Sequence, residues 1–495
     1  MWRGCGGVCE VCWGGDERKS SLIDFAVMQK RECENFCQIR SFFTKIIFIF
    51  RLYQYFLLFL RRKYNMNIMI REFWVENFLS IKDRQTLNFE TKSKEDDWAS
   101  VDMGNEKRVN KLAVIYGANA SGKSNMLLAI QNIFEILFTP HSRKQSVVKT
   151  RRPFALCPDK PTRLFVSFYA NHIRYDYMVS YIKDYIMDEL LEWYPNGSKS
   201  LFYERHFVSQ ESQSEIKFGS SLKISAKTKD NFIQNTLNNH SVLSVFGKIS
   251  FSIDAKPIAD LYNWIANYMH EVNIQNDSPQ KMLQSIEKNK KSKHFYIQML
   301  QKADFNIVDF YTETVSEEIP HIGLTINNET LSLENKMIPF ERTKVYFSCE
   351  AGQEKFTLNY DEQSEGTKKF LSNLSSLYKA VTDNHVFLID EIDSQLHDDL
   401  LLYFLNTFIM NSNESQLIFT SQETSLLNED LLNTHRDFVF FAEKNREGAY
   451  SEYTRADEYG LHKNLSLYKS YRNGRLGAVP QLGSPLLYLE DDEEN

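Results

Sequence analysis

The strongest chemical signal in the sequence is a glycine-rich segment that ends in a lysine and a serine. Its residues are Gly117, Ala118, Asn119, Ala120, Ser121, Gly122, Lys123 and Ser124, in the G-x-x-x-x-G-K-S spacing of a phosphate-binding loop, or P-loop. The glycines allow the tight turn that directs backbone N–H groups at phosphate oxygens. The lysine of such a loop reaches the β- and γ-phosphates, and the serine hydroxyl binds Mg²⁺. The segment therefore predicts a site for ATP and Mg²⁺.

Two adjacent carboxylates, Asp390 and Glu391, are a second candidate site far along the chain. They follow the apolar run 385–389, which is typical of a strand buried on both faces. At the end of such a strand Asp390 could hold Mg²⁺, as a Walker B aspartate does. Glu391 could then activate the attacking water as a general base. Alone, the same pair could be the acidic start of a helix, but a P-loop in the same chain favours hydrolysis.

These residues require a strand–loop–helix unit and a second buried strand to position them. The apolar run 112–116 directly precedes the P-loop, and 126–138 has the periodicity of an amphipathic helix. Two alternating runs within 70–89 predict a strand pair. Lys123 and Asp390 are 267 residues apart in the sequence. This separation implies a large insertion between the two halves of the site.

Composition excludes several classes of protein. Of the 495 residues, 42% are apolar and 25% are charged, which argues against a disordered chain and a polytopic membrane protein. The net charge of −7 gives no support to a generic basic nucleic-acid-binding protein. Basic clusters within 143–152 and 288–293 are more typical of solvated faces, although they leave DNA open as a partner. Only Cys157 and Cys349 follow residue 65, which favours a reducing, cytoplasmic location.

Residues 1–65 differ from the rest of the chain, with five of the seven cysteines and an excess of basic residues. The segment 42–60 has the length of a membrane span, but Lys45 and Arg51 lie inside it. A membrane anchor, an amphipathic segment, and a translated upstream region with the true start at Met66 or Met69 all remain open. The abrupt change in composition favours the last interpretation, and we expect no membrane association outside 42–60.

Several segments resemble ABC-type AAA ATPases, and more narrowly the AAA15/AAA21-like branch of bacterial abortive-infection and phage-defence systems. The similar segments are 70–78, the P-loop with its neighbour Asn125, 363–367, 388–393 and 471–480. This branch is related to the heads of RecF and SMC proteins and to the ATPase half of OLD-family nucleases. Over roughly residues 69–482, the resemblance implies an ATPase that works as a dimer or higher oligomer with a separate nuclease or toxin as effector.

The resemblance also implies roles for individual residues. Ser364 and Gly366 would belong to a signature turn that closes on the γ-phosphate bound by a partner subunit, and Asp393 would lie in a loop at the dimer interface. Asn125 would contact the nucleotide. The family usually has a switch histidine where this chain has Gln422.

Glutamine can hydrogen-bond phosphate or water but cannot take up a proton. We therefore expect slow hydrolysis, with Glu391, Lys123 and Gln422 as the catalytic residues. A RecF- or SMC-like DNA-repair ATPase and a non-hydrolysing nucleotide-gated scaffold remain the alternatives to a defence ATPase.

The predicted fold class is α/β: a P-loop NTPase with an ABC-ATPase-like head, an antiparallel β subdomain and an inserted helical lid or arm. Alternating runs within 163–194 predict the antiparallel sheet, and helix-period apolar positions within 258–303 predict the helices. The domain boundaries we expect are 1–65 for an atypical leader, 66–140 for the N-terminal half of the head, 141–340 for the inserted region, 341–482 for the C-terminal half with the signature and Walker B segments, and 483–495 for an acidic tail.

Overall fold

The structure is a computed structural model of the chain. It describes residues 68–92, 98–144, 146–148, 151–209, 214–249, 255–274, 279–327, 330–462 and 464–479. The chain divides between Asn65 and Met66, and every described residue lies in the second unit. The candidate membrane segment 42–60 and the acidic tail 483–495 lie outside the described residues. Among the helices that the structure describes, none is both long and apolar enough to cross a bilayer.

A mostly parallel central sheet carries the P-loop and Walker B segments. Its strands in spatial order are β14 (Val386–Ile389), β15 (Gln416–Ser421), β5 (Leu112–Tyr116), β16 (Val439–Lys444) and β17 (Ser451–Arg455). The first four are parallel, and β17 pairs antiparallel with β16. Every residue of β5 is buried, which explains its continuous apolar run. Because β5, β14 and β15 are parallel, the loops at their carboxyl ends meet at one edge of the sheet.

A second sheet is entirely antiparallel, as the alternating runs predict. Its strands in spatial order are β10 (Glu215–Phe218), β9 (Ser200–His206), β8 (Ile186–Trp193), β7 (Ile173–Tyr181), β6 (Thr162–Ala170), β1 (Ile68–Glu76) and β2 (Gln85–Asn88). The pairing of β1 with β2 confirms the predicted strand pair. A short hairpin of β3 (Ser100–Asp102) and β4 (Arg108–Asn110) precedes β5.

Helices cover both faces of the central sheet. In chain order the described helices are α1 (Lys123–Phe138), α2 (Ala226–Asn235), α3 (Lys256–Ile274), α4 (Pro279–Glu287), α5 (Lys290–Lys302), α6 (Glu365–Thr382), α7 (Asp398–Asn411), α8 (Asp430–Thr434) and α9 (Leu467–Arg472). The helices within 258–303 confirm the predicted helical part of the insertion. The apolar positions of α3 are buried: Leu261, Trp264, Ile265, Tyr268 and Met269.

The central sheet separates two apolar cores. Ala113 and Ile115 of β5 belong to the core that contains α1, α3 and the antiparallel sheet. Leu112, Val114 and Tyr116 alternate with them and belong to the core that contains α4 to α7. The strand that leads into the P-loop is therefore fixed from both sides, and this packing gives the loop a rigid base.

A long β-hairpin is the element that the sequence did not reveal. β11 (Ile307–Asn327) pairs antiparallel with β12 (Thr330–Ala351), and β13 (Glu354–Asn359) pairs with the end of β12. At about 3.4 Å per residue, strands of this length extend for roughly 70 Å. The base packs against α4 and α5 through buried Phe310, Val345 and Phe347. From β13 the chain turns directly into the signature segment and α6.

Candidate nucleotide site

The P-loop joins β5 to α1 through two left-handed residues. Ala120 has φ 62° and Gly122 has φ 103°. A Cβ atom at Gly122 would overlap the hydroxyl groups of Ser80 and Ser451, and one at Gly117 would overlap the carbonyl oxygen of Ala442. Close approach of neighbouring groups therefore requires glycine at both positions, and the positive φ also favours it at Gly122.

The start of α1 has the properties of an anion site. The helix begins at Lys123, and no side chain caps it at Gly122. Its first N–H groups and its dipole therefore remain available to a phosphate. Lys123 is 6% exposed, and its Nζ donates to the carbonyl oxygens of Gly117 (2.8 Å) and Ala118 (3.1 Å). The P-loop itself therefore binds the ammonium group that is predicted to contact phosphate.

Burial lowers the pKa of Lys123, while the charges of Glu391, Asp390 and Asp393 act in the opposite direction. Asp390, Glu391 and Asp393 follow β14, and one strand, β15, separates β14 from β5 and its P-loop. The structure brings the P-loop lysine and the Walker B segment together despite their separation in the sequence. These are the two halves of the site that the motifs predict.

A residue that sequence reasoning missed binds the Asp390 carboxylate and the backbone of Glu391. Thr420, fully buried at the end of β15, donates from Oγ1 to Asp390 Oδ1 at 2.6 Å. The same Oγ1 accepts the backbone N–H of Glu391 at 2.8 Å. Glu391 has φ 46°, a conformation that is uncommon for residues other than glycine and needs such support. No signal in the sequence marks Thr420: the parallel register, in which Ile389 pairs with Phe419, places it opposite Asp390.

Gln422 lies at the predicted switch position and contacts the predicted base. Its Nε2 donates to Glu391 Oε1 at 3.1 Å. The backbone N–H groups of Gln422 and Glu423 both donate to Asp393 Oδ2 at 2.9 Å. Asp390, Glu391 and Gln422 are exposed, so water and a nucleotide can reach them.

The signature turn forms the N-terminus of α6. Ser364 is its N-cap, and Ser364 Oγ accepts the N–H of Thr367 at 3.1 Å. A Cβ atom at Gly366 would lie 3.0 Å from the carbonyl oxygen of Gln395, so the turn packs against the loop that follows the Walker B carboxylates. Ser364 is exposed. Within the described residues, no hydrogen bond joins Ser364 or Gly366 to the P-loop of the same chain.

Asn125 and the segment 471–479, which also resemble the family, make contacts in and around the P-loop. Asn125 Nδ2 donates to Ser80 Oγ at 2.7 Å, so this side chain faces a neighbouring turn. The N–H of Ala118 donates to the carbonyl oxygen of Ala478 at 3.0 Å, and the hydroxyl of Tyr471 donates to the same oxygen at 3.1 Å. The segment 471–479 therefore supports the P-loop, whereas Asn119 and Ala120 are exposed at its outer surface.

The residues present fit a metal ion that binds together with a nucleotide. In the part of the chain that the structure describes, no group of three or more His, Cys, Asp or Glu side chains could hold a metal ion by itself. Mg²⁺ usually keeps several waters and binds through one or two carboxylates and substrate phosphates. The hydroxyl of Ser124 in the P-loop and the exposed carboxylate of Asp390 would supply the protein ligands of such a site.

Comparison with known proteins confirms the family indicated by the motifs. The family model described as "AAA domain, putative AbiEii toxin, Type IV TA system" matches residues 112–428. The structure of the "SMC head domain from Thermotoga maritima" is similar at 11% identity and a TM-score of 0.35, over 78% of this chain and 98% of that chain. That of "the SmcHead bound to the C-winged helix domain of ScpA" is similar at 14% identity and a TM-score of 0.33, over 81% and 99%. The comparison with curated proteins found no match.

The matched segment extends from the first residue of β5 to beyond Gln422. It thus includes the P-loop, the insertion, the signature turn and the Walker B carboxylates. The chain belongs to this AAA-domain family and has the α/β fold of a P-loop NTPase.

Proposed function

We propose that the protein is a cytoplasmic ABC-type ATPase that acts as a dimeric, nucleotide-gated switch. We further propose that it is the ATPase component of a bacterial anti-phage system, with a separate nuclease or toxin as effector. The observation that carries the ATPase proposal is the arrangement of Lys123, Asp390, Glu391 and Gln422 at one edge of the central sheet. The family description, which names a "putative AbiEii toxin" and a "Type IV TA system", supports the defence role.

The chemistry follows from the positions of these side chains. Lys123 would exchange its two bonds to loop carbonyls for bonds to phosphate oxygens, which are charge-assisted and stronger. Ser124 and Asp390 would hold Mg²⁺, whose charge stabilises the transferred phosphoryl group when it is bound. Glu391 would accept the proton of the attacking water, and Gln422 would orient Glu391 through its side-chain hydrogen bond.

The signature turn would act on a nucleotide bound by a second copy of the chain. Ser364 is exposed at the start of α6 and makes its hydrogen bonds within that helix. The N–H groups next to Ser364 lie at the N-terminus of an 18-residue helix, where an anion binds favourably. In this arrangement one active site contains Lys123 of one subunit and the partner's signature turn.

Mixing two inactive variants tests this arrangement. Lys123→Ala removes the P-loop lysine, and Ser364→Arg puts a bulky cation where a small donor must approach phosphate. Each variant alone should be inactive. A mixed dimer has one intact site, because the Ser364→Arg chain supplies the P-loop and the Lys123→Ala chain supplies the signature turn.

Partial recovery of ATPase activity on mixing, at less than half of the wild-type rate if both sites must act together, supports the dimer. No recovery despite demonstrated heterodimers would contradict it, and full activity in isolated monomers would exclude it. In cells, Lys123→Ala should abolish protection from phage without unfolding the protein. Co-purification of a toxin or nuclease that is encoded nearby would identify the effector.

A non-hydrolysing scaffold is the second candidate function, and Gln422 is the observation that favours it. Because glutamine cannot carry a proton at the switch position, nucleotide binding alone could change the state of the protein. Tight ATP binding with negligible turnover would support the scaffold. Hydrolysis stimulated by DNA would instead support a RecF- or SMC-like repair ATPase.

A further inference from the structure

The P-loop is held from behind by polar side chains that lie far away in the sequence. Ser80 is in the turn between β1 and β2, and Ser451 is the first residue of β17. The hydroxyl oxygens of these two serines are 2.7 Å apart. Ser451 Oγ lies 2.6 Å from the carbonyl oxygen of Ser121, within the loop, and Asn125 Nδ2 lies 2.7 Å from Ser80 Oγ.

Each hydrogen bond in this group of side chains has a defined direction. Ser451 Oγ donates to the carbonyl oxygen of Ser121 and to Ser80 Oγ, so its single proton is shared between two acceptors. Ser80 Oγ also accepts from the amide of Asn125. These contacts connect α1 back to the loop that precedes it.

We propose that Asn125, Ser80 and Ser451 form a hydrogen-bond relay that positions the P-loop for phosphate binding. This inference rests on the proposed ATP site and assigns Asn125 a positioning role in place of direct nucleotide contact. Tyr453 adds a parallel support, because its hydroxyl donates to the carbonyl oxygen of Gly122 at 2.6 Å. None of these groups needs to touch the nucleotide in order to change its affinity.

The structure explains why the relay acts on phosphate binding. Gly122 has φ 103°, and the hydroxyl groups of Ser80 and Ser451 fill the space where its Cβ would otherwise be. The relay therefore fixes the residue that directly precedes the first N–H groups of α1. If the relay is broken, part of the population leaves the binding-competent conformation, and the apparent dissociation constant rises by the inverse of the remaining fraction.

The experiment measures nucleotide affinity in the full chain. Ser451→Ala and Ser80→Ala each remove one hydroxyl of the relay, and Tyr453→Phe removes the parallel donor without changing the packing. Ser292→Ala is the matched control, because the Ser292 hydroxyl is also buried and donates to backbone carbonyls, those of Ile286 and Asn289, near α5. The probe is a non-hydrolysable ATP analogue with Mg²⁺ in a calorimetric titration. Thermal unfolding and amide exchange of 122–124 are measured without nucleotide.

We expect the dissociation constant to rise about five- to tenfold in each relay variant, the range for a lost buried hydrogen bond. The double variant Ser80→Ala and Ser451→Ala should bind the ATP analogue no more weakly than the weaker-binding single variant, because either change breaks the same relay. Amide exchange at 122–124 should accelerate, and kcat should change less than KM. The Ser292→Ala control should keep the wild-type affinity within twofold.

Three results would overturn the proposal. Wild-type affinity in Ser80→Ala and Tyr453→Phe would remove the positioning role, even if Ser451→Ala fails to fold. An affinity loss in Ser292→Ala as large as in the relay variants would mean that general stability is responsible. A wild-type chain that does not bind the analogue would refute the proposed ATP site, and the relay would fall with it.

Discussion

We expect Thr420→Val to weaken the apparent affinity for Mg²⁺, although Thr420 is neither a proposed metal ligand nor the proposed base. Valine has nearly the shape of threonine, so the fully buried position on β15 should remain filled. The change removes the hydroxyl that donates to Asp390 Oδ1 and accepts the N–H of Glu391. Asp390 then loses its fixed orientation, and Glu391 loses a support of its left-handed backbone.

The magnitude follows from these two hydrogen bonds. A bond to a charged group contributes about 1.5–3 kcal/mol, and a neutral one contributes about 1 kcal/mol. Asp390 is exposed, so water will replace part of the lost interaction. Removal of a group that orients a metal ligand typically lowers metal affinity by about 10- to 100-fold. We expect a shift in this range, which corresponds to about 1.4–2.8 kcal/mol.

The assay is the steady-state ATPase rate at saturating ATP over a range of Mg²⁺ concentrations. The apparent constant for Mg²⁺ should rise in Thr420→Val, and Thr420→Ser should restore most of the wild-type value because it keeps the hydroxyl. Thr407→Val is the matched control: its hydroxyl donates to the carbonyl oxygen of Tyr403 within α7. If Thr420→Val and Thr407→Val give the same Mg²⁺ dependence as the wild type, Thr420 does not orient the metal ligand.

Four further predictions concern the same chain. Glu391→Gln should retain Mg-ATP and lose about 100-fold or more of the hydrolysis rate, since an amide cannot accept the proton; an unchanged rate would remove Glu391 as the base. Gln422→His should raise turnover by supplying a titratable group, and a rate no higher than wild type would contradict this. Burial lowers the pKa of His240 to about 3 and of His385 to about 4, so both stay neutral when folded while unfolded histidine protonates near pH 6.5. Denaturant unfolding should therefore give full stability above pH 6.5 and a loss of up to about 1.4 kcal/mol per pH unit for each histidine on acidification, reduced in His385→Gln; higher stability at pH 5 than at pH 7 would refute the assignment. A chain that starts at Met66 should fold and bind ATP like the full chain, and failure to fold would mean that residues 1–65 are needed.

The parts of the site that could be predicted are those whose requirements are local. The P-loop needs particular residues at fixed spacing, and a strand buried on both faces must be continuously apolar, so 112–124 could be assigned from its own residues. Asp390 and Glu391 were recognised in the same way, as polar groups at the end of an apolar run. In each case the residues that carry the chemistry directly follow the strand that positions them.

The supporting residues could not be predicted, because nothing in their neighbourhood marks them. Ser451 lies 330 residues from Ser121, whose carbonyl it binds, and Ser80 lies 371 residues from Ser451. Serine is common in turns and at strand ends, so neither position is unusual by itself. Thr420 is also an ordinary residue at the end of a buried strand. Only the parallel register of β14 and β15 places it opposite Asp390.

The long hairpin was missed for a different reason. Strand prediction depends on alternation between a buried and an exposed face, and the described middle positions of β11 and β12 have little burial: Glu313, Met337 and Glu341 are all exposed. Because neither face of such a ribbon packs on a core, apolar and polar residues need not alternate strictly along its strands. The sequence therefore carried the signal only at the base, where Phe310, Val345 and Phe347 enter the core.

The supports of the P-loop also determine how nucleotide binding can affect the rest of the molecule. Ser80 lies in the turn between β1 and β2 of the antiparallel sheet. Ser451 and Tyr453 lie in the edge strand of the central sheet, and Ala478 lies in the segment after α9. Each segment makes directional hydrogen bonds to the loop. If phosphate binding selects one conformation of the loop, it therefore also selects the matching positions of the three segments. Binding equilibria coupled in this way are reciprocal. If a partner that shifts one of these segments changes the affinity for ATP by some factor, ATP changes the affinity for that partner by the same factor. Under the proposed function, an effector that contacts one of these segments would respond to the nucleotide without reaching it.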